Sequence, residues 1–303
     1  MIAYTPGKLV LSGAYAVLEG APAIVAAVDR YVVADSSRAA DLVTAEVQEA
    51  IREGVLKNAP WFDASALRVD ATGGASRKLG LGSSAAILVA SLGTALIHQH
   101  DDDSALRDAV LPIALRCHRR AQHGGSGIDV AASTFGGILR CRMAPDGSLA
   151  SHPHALPHDV VIEVYASPTS QNTRALLRAV NSFKDEQPKE YEAIFQKLSA
   201  AAEDAATARR VDEFVGSLVK QGQLLQQLGD AACVPIVDMR AAQLARIAEA
   251  EGAAFLPSGA GGVDISIWVG PRPSEAMREA AERIGFRTLK VRIGVEGLRR
   301  RAP

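Results

Sequence analysis

Three stretches carry residues whose types and spacing could do chemistry: Lys8 in "TPGKLVLSG", the run "KLGLGSSAAILVA" at 78–90, and Asp129 in "GGSGIDVAAS" at 124–133. In the second, two glycines and two serines stand in front of an apolar run that reads as a helix. Free backbone N–H groups at a helix N-terminus, with the positive end of its dipole, attract anions. Glycine lets that backbone approach a phosphate closely, and a serine hydroxyl can ligate Mg²⁺. Pro6-Gly7 delivers Lys8 at the start of a strand, and Asp129 directly follows a glycine-serine turn. A fourth stretch, "PSGAGGVDISI" at 257–267, is a tight glycine turn between strands. Singly, each has a plain structural reading: a solvated lysine, a turn aspartate, a glycine-rich helix start. Together, in this order, they form a more specific set than any one of them, with the 80–85 loop a candidate phosphate cradle.

Two other readings of the 78–90 run fail on context. Gly80, Gly82 and Ala85 fit the spacing of a dinucleotide fingerprint, which needs a hydrophobic strand running into the first glycine. Here "GGASRK" precedes it, and no strand stands before Asp101–Asp103, where the acidic partner would fall. No Gly-Lys-Ser/Thr follows, so the loop is not a Walker A motif. The uncharged stretch from Leu79 to Ile97 has the length of a bilayer span. It carries Ser83, Ser84, Ser91, Thr94 and three glycines, and reads instead as a buried central helix.

The elements that must position these residues follow from the rest of the chain. Its 303 residues suit two domains of ordinary size, and 48% hydrophobic with 22% charged residues describes a globular protein. A net charge of −1 leaves no general footprint for nucleic acid or an anionic membrane. Cys117, Cys141 and Cys233 lack metal-ligand spacing and read as free thiols in a reducing cytosol, and the N-terminus does not read as a secretory signal. "KLVLSGAYAVLEG" and "PAIVAAVDRYVVADSS" read as strands joined by a turn at Glu19–Pro22, and "ALRVDAT" as another. Ser83 or Ser84 is a candidate cap for the helix running to about His98, and Ser104 for the next, where Pro112 marks a kink or a break. "VVIEVYA" reads as a strand, followed by a helix from about Asn172. From about 184 the chain becomes long, alanine- and glutamine-rich helix, then a helix over "VDMRAAQLARIAEAEG", two strands around the glycine turn, a helix over "SEAMREAAERIG" and a strand at "TLKVRI". Without regular βαβ alternation the class is α+β, divided at 183/184 into units 1–183 and 184–303. Arg116, His118, Arg119, Arg120 and His123 precede the Asp129 loop, and Arg140 and Arg142 follow it. Some of these belong to a solvated face; a phosphate- and carboxylate-bearing substrate would use at least one.

The ordered set Pro-Gly-Lys, "GLGSSA" and "SGAGGVD" resembles the GHMP kinase superfamily from residue 5 to about 269. "HRRAQHGGSGIDVAAS", "SGAGGVD" with Asp264, and "SPTSQNTRALL" are similar to the corresponding segments of its phosphomevalonate kinase branch. The resemblance implies a two-domain GHMP kinase fold, with an N-terminal ribosomal protein S5 domain 2-like domain and a C-terminal ferredoxin-like domain. It implies ATP and Mg²⁺ as cofactors, a small phosphorylated substrate, no nucleic acid or membrane partner, a cytoplasmic location, and a monomer or homodimer. Carried onto this chain, it puts Lys8 and Asp129 in catalysis and Gly80, Leu81, Gly82, Ser83, Ser84 and Ala85 on the ATP phosphates. Ser84, or Ser83, would contact Mg²⁺. Tyr15, Ser126, Gly127, Arg140, Ser258, Gly259, Ala260 and Gly261 would face the substrate. Two carboxylates of mevalonate kinases are absent: Ala14 and His118 stand in their places. The expected reaction is phosphorylation of the phosphate of 5-phosphomevalonate, with Asp129 accepting or orienting the acceptor's proton. The alternatives are a kinase acting on a hydroxyl of mevalonate or a sugar, and a non-catalytic nucleotide-binding relative.

Overall fold

A computed structural model describes residues 1–70, 76–168, 173–262 and 264–301. The segments 71–75 and 169–172, which include part of "GGASRK" and most of "SPTSQN", lie outside it. Twelve strands and nine α-helices appear among the described residues.

The first sheet is antiparallel and built on two long strands, β1 (Ile2–Ser12) and β2 (Pro22–Ala39). The order is β12 (Arg299–Arg300), β1, β2, β6 (Ile138–Met143), β7 (Leu149–Pro153), with β3 (Pro60–Asp63) also paired to β2. The alternation of a strand sends successive side chains to opposite faces. Leu9, Leu11, Ile24 and Ala26 join Leu88 and Leu92 of helix α2 (Ser83–Leu96) in one core. Val10, Val25 and Leu139 join Ile194, Phe195 and Leu198 of helix α6 (Pro188–Thr207) in another. The sheet is thereby sandwiched, and the uncharged stretch expected to be a central helix is α2, buried along nearly its whole length. No helix among the described residues is long and apolar enough to cross a membrane.

The remaining elements of the first half are helix α1 (Ala45–Arg52), the short hairpin β4 (Arg68–Asp70) and β5 (Ser76–Lys78), and helices α3 (Asp103–Gln122) and α4 (Ile128–Phe135). Three local expectations are corrected. Gly82, in the left-handed region, is the N-cap of α2, so Ser83 and Ser84 lie inside the helix. Asp102, accepting from Ala105 N at 2.8 Å, caps α3 in place of Ser104. Pro112 sits inside one continuous helix, tolerated without a break. The turn expected at Glu19–Pro22 is preceded by a 3₁₀ turn at Ala16–Glu19, because β1 ends at Ser12.

The second sheet takes β8 (Val161–Ala166), β9 (Ala254–Pro257), β10 (Ile265–Gly270) and β11 (Arg287–Leu289) in the order β11-β8-β10-β9. Between β8 and β9 run helices α5 (Thr173–Glu186), α6, α7 (Val211–Ala231) and α8 (Met239–Ala250); α9 (Glu275–Arg283) links β10 to β11. Counted along the chain, the strands lie 4-1-3-2 with helices after the first and third, the β-α-β-β-α-β plan of a ferredoxin-like unit. Tyr165, Phe255, Trp268, Met277 and Phe286 form its core. Truncating the fully buried Trp268 to alanine would cost about 3–5 kcal/mol. The expected division at 183/184 falls inside α5, and β8 already belongs to the second sheet. Strand pairing therefore puts the change of unit before β8, while β12 returns the chain to β1.

Candidate active site

The site is assembled where β1, the start of α2, the start of α4 and the β9–β10 turn meet. A register shift between Pro6 and Gly7 interrupts the β1–β2 ladder immediately before Lys8. Such a bulge re-aims the side chain that follows it. Gly7 is required there, because a Cβ would stand 2.5 Å from Leu67 Cδ2 and 2.8 Å from the Leu81 carbonyl oxygen. Lys8 is stitched to the glycine loop twice: its amide donates to Leu81 O at 2.9 Å, and its Nζ donates to Gly80 O at 3.2 Å.

The loop itself is held in a shape only glycine takes comfortably. Gly80 and Gly82 have φ of 74° and 76°, and no side chain caps α2. The first amides of α2, from Ser83 to Ala85, therefore point out of the helix start without a side-chain acceptor, as an anion cradle requires. Both glycines are also pressed on by neighbours. A Cβ on Gly82 would lie 2.8 Å from Lys8 Cγ, and one on Gly80 would lie 2.8 Å from Asp264 Cβ. Leu81, Ser83 and Ala85 are buried, while Ser84 keeps partial access to solvent.

Asp129 stands in the first turn of α4, whose positive dipole end favours a carboxylate. Gly127, at φ 75°, caps that helix and packs against Leu115, where a Cβ would come within 2.4 Å. Asp129 Oδ1 accepts from Val130 N at 3.0 Å, and its Oδ2 lies 3.3 Å from Nε2 of the buried His118. Burial pushes the Asp129 carboxyl up, but His118, Lys8 and the Val130 amide together hold it well below the usual carboxylate range. Burial pulls the Lys8 ammonium below its ordinary value, against the opposing pull of Asp129 and Asp264. Lys8 is thus bracketed by two carboxylates, and Asp129 by two cationic groups.

The third glycine turn closes the same corner. Ser258 Oγ accepts from Val10 N at 2.9 Å, and a Cβ on Gly259 would stand 3.7 Å from Lys8 Nζ. Tyr15, with φ of 61°, donates its hydroxyl to Ala260 O at 2.7 Å. Gly261 packs on the Ile236 carbonyl, which would be 2.3 Å from a Cβ, so this glycine serves the turn's packing. Behind them Gln221, fully buried on α7, accepts from Gly13 N at 2.8 Å and donates to Ala201 O at 3.1 Å, fixing the end of β1.

The structure brings Lys8, Gly80–Ala85, Asp129, Ser258 and Gly259 to one place; Ser126 and Gly127 immediately precede the helix that carries Asp129. Four of the five arginines expected near the substrate are dispersed onto carboxylates, while Nη2 of Arg119 is buried without a hydrogen-bond partner among the described residues. Arg116 and Arg120 pair with Glu53 at 3.2 and 2.7 Å, Arg140 with Glu203 at 3.5 Å, and Arg142 also with Glu203. Two residues that sequence reasoning left without a role, His118 and Asp264, touch the site directly. Among the described residues no cluster of three His, Cys, Asp or Glu could hold a metal ion. The donor set that remains, the Ser84 hydroxyl at the helix mouth, fits a Mg²⁺ held mainly by nucleotide phosphates and water.

Residues 41–137 match the family of GHMP kinases N terminal domains. A mevalonate kinase of Archaeoglobus fulgidus is 27% identical over 95% of this chain and 99% of its own. Among solved structures, the Lin0012 protein of Listeria innocua superposes with a TM-score of 0.82 at 22% identity, over 98% of this chain and 99% of its own. The phosphomevalonate kinase of Streptococcus pneumoniae, in complex with phosphomevalonate and AMPPNP, does so with a TM-score of 0.74 at 17% identity, over 97% and 100%. Residues 41–137 thus match the GHMP kinase N-terminal domain, and the chain as a whole has the two-domain α+β fold of these solved kinases. Over nearly its whole length it is similar to a mevalonate kinase in sequence and to a phosphomevalonate kinase in fold.

Proposed function

We propose that this protein transfers the γ-phosphoryl group of ATP to the phosphate of 5-phosphomevalonate, giving 5-diphosphomevalonate and ADP. An acceptor phosphate oxygen forms the new bond to the γ-phosphorus as its bond to the β–γ bridging oxygen breaks, and ADP leaves with that electron pair. The observation that supports the acceptor is the setting of Asp129, with His118 Nε2 3.3 Å from its Oδ2 and Lys8 beside it: cationic neighbours favour the carboxylate and weaken it as a base. An alcohol acceptor gains most from a base poised near neutral pH, whereas a phosphate acceptor is already largely ionised. Asp129 then orients the acceptor more than it abstracts a proton. Lys8, held on Gly80 O, neutralises charge at the transferring group, and phosphoryl transfer depends chiefly on such positioning and charge.

In this reading the amides of Gly80–Ala85 hold the ATP phosphates, and Ser84 contacts Mg²⁺. That ion would offset the negative charge of the phosphates. Ser126, Gly127, Ser258 and Gly259 border the acceptor, with Tyr15 shaping the turn through Ala260 and Gly261 packing it from behind. Arg140 reaches the acceptor only by leaving its half-exposed pair with Glu203, and such pairs contribute only about 0–1 kcal/mol. The C-terminal unit is taken from β8 onward, and the enzyme as a cytoplasmic monomer or homodimer. A hydroxyl acceptor such as mevalonate is the second reading, favoured by the 27% identity to a mevalonate kinase. A coupled ADP-release assay across mevalonate, phosphomevalonate, sugars and sugar phosphates separates the two. Much faster turnover of mevalonate or a sugar would displace the phosphate acceptor.

A further inference from the structure

We propose that His118 is the positioning residue of Asp129: as an imidazolium it fixes the carboxylate in place, and turnover falls when it loses its proton. This rests on the kinase reading above and adds to it the group that sets the pH range of the site.

The two residues come from different helices, His118 from α3 and Asp129 from α4, so the contact of 3.3 Å between them is tertiary. Between the helices the chain passes through His123 at φ 56° and three glycines at positive φ. This tight connection folds α4 back so that its first turn faces the end of α3. The His118 side chain is only 8% exposed. Its Nδ1 has no hydrogen-bond partner among the described residues, so the polar contact of the ring among them is the one with Asp129. A neutral imidazole would contribute a single uncharged contact in this closed setting. An imidazolium makes a charge-assisted one, about twice as strong.

The charges around the ring favour the imidazolium. Asp129 faces it from α4 and Glu46 from α1; Arg119, its neighbour on α3, opposes, as does burial. Glu46 is buried and accepts from Gln122 Nε2, which keeps it near the ring. Lys8, on β1, lies beyond Asp129. Burial lowers the affinity of His118 for its proton, but the two carboxylates outweigh it and raise it above the ordinary value. With His118 charged, Asp129 is held from both sides and cannot swing fully onto Lys8. With His118 neutral, Asp129 is free to pair with Lys8 alone, and the charge facing the transferring phosphoryl falls by one unit.

His118→Gln keeps a donor near the position of Nε2 but cannot titrate. At saturating ATP, Mg²⁺ and phosphomevalonate, wild-type kcat should fall at alkaline pH along a limb that His118→Gln lacks. The variant's plateau should lie roughly 10–100-fold lower, the worth of a charge-assisted hydrogen bond. Thermal unfolding checks that the variant is folded. Independently of any substrate, ¹⁵N NMR of the imidazole nitrogens, assigned by the missing His118→Gln signal, should show His118 titrating above ordinary histidines. In Asp129→Asn its midpoint should drop by about one pH unit or more. A His118→Gln enzyme with the wild-type alkaline limb, or a His118 midpoint indifferent to Asp129→Asn, would overturn the proposal. Because the NMR arm needs no acceptor, a correct titration with turnover of a different substrate upholds His118 and removes only the acceptor assignment.

Discussion

Gly82→Ala tests how the phosphate loop and Lys8 depend on each other. The new Cβ would stand 2.8 Å from Lys8 Cγ and 3.2 Å from its Cε, so the stem of the lysine must move. Two costs add. An alanine in the left-handed region costs about 1–2 kcal/mol, and an extra methyl in a packed site about 1–3 kcal/mol. On a Lys8→Ala background the second cost vanishes, because the atoms that clash are gone. The two substitutions should therefore couple by about 1–3 kcal/mol in denaturant unfolding, well above the additivity of independent sites. The same logic applies to turnover. Displacing Lys8 from Gly80 O removes an electrostatic group whose loss costs roughly 10²–10³ in kcat. Gly82→Ala should approach that loss alone and add little to it in the double variant. Equal effects of Gly82→Ala on both backgrounds would refute the claim that the loop acts through the lysine.

Asp129→Asn should lower kcat by roughly 10²–10⁴ with ATP affinity nearly unchanged in calorimetry, the range for a positioned acid–base group; near-wild-type turnover would leave it a turn residue. Ser84→Ala should keep the amide cradle and ATP binding but raise the Mg²⁺ concentration needed for half-maximal rate, and an unchanged Mg²⁺ titration would remove Ser84 from the metal. Stability should vary with pH through the same pair. The lowered Asp129 contributes stability above its ordinary value of 3.8 that is lost as pH falls below it. The raised His118 contributes stability below its ordinary 6.5 that is lost as pH rises through its folded value. Thermal unfolding of wild type should be most resistant between these limits, and Asp129→Asn should flatten both flanks; parallel curves would contradict this.

Lys8, the 80–85 loop and Asp129 were each legible because each sits at a local singularity of the chain, and the resemblance of the ordered set to one family implied that they meet. A Pro-Gly bulge, two glycines before an apolar helix and a glycine-serine turn all mark backbone doing something unusual. What surrounds them was not legible, since it depends on residues distant in sequence. Asp264 meets Gly80 across the interface of two sheets, and Tyr15 reaches Ala260. The arginines on either side of Asp129 read as a substrate patch until Glu53 and Glu203 take up Arg116, Arg120, Arg140 and Arg142. The expected boundary between units follows composition alone. The compositional change near 184 marks long helices, whereas β8 had already crossed into the second sheet. Gly82, in the left-handed region that glycine adopts readily, rather than a serine caps α2, so no side chain accepts from the first amides of the helix.

The central claim is that the new bond joins two phosphorus centres through one oxygen. ³¹P NMR of the product formed from ATP and phosphomevalonate tests it directly. A pair of mutually coupled doublets replacing the phosphomonoester singlet, and lost in Asp129→Asn, is the predicted result. A second uncoupled phosphomonoester signal, or consumption of ATP with mevalonate while the phosphomevalonate singlet persists, would contradict it.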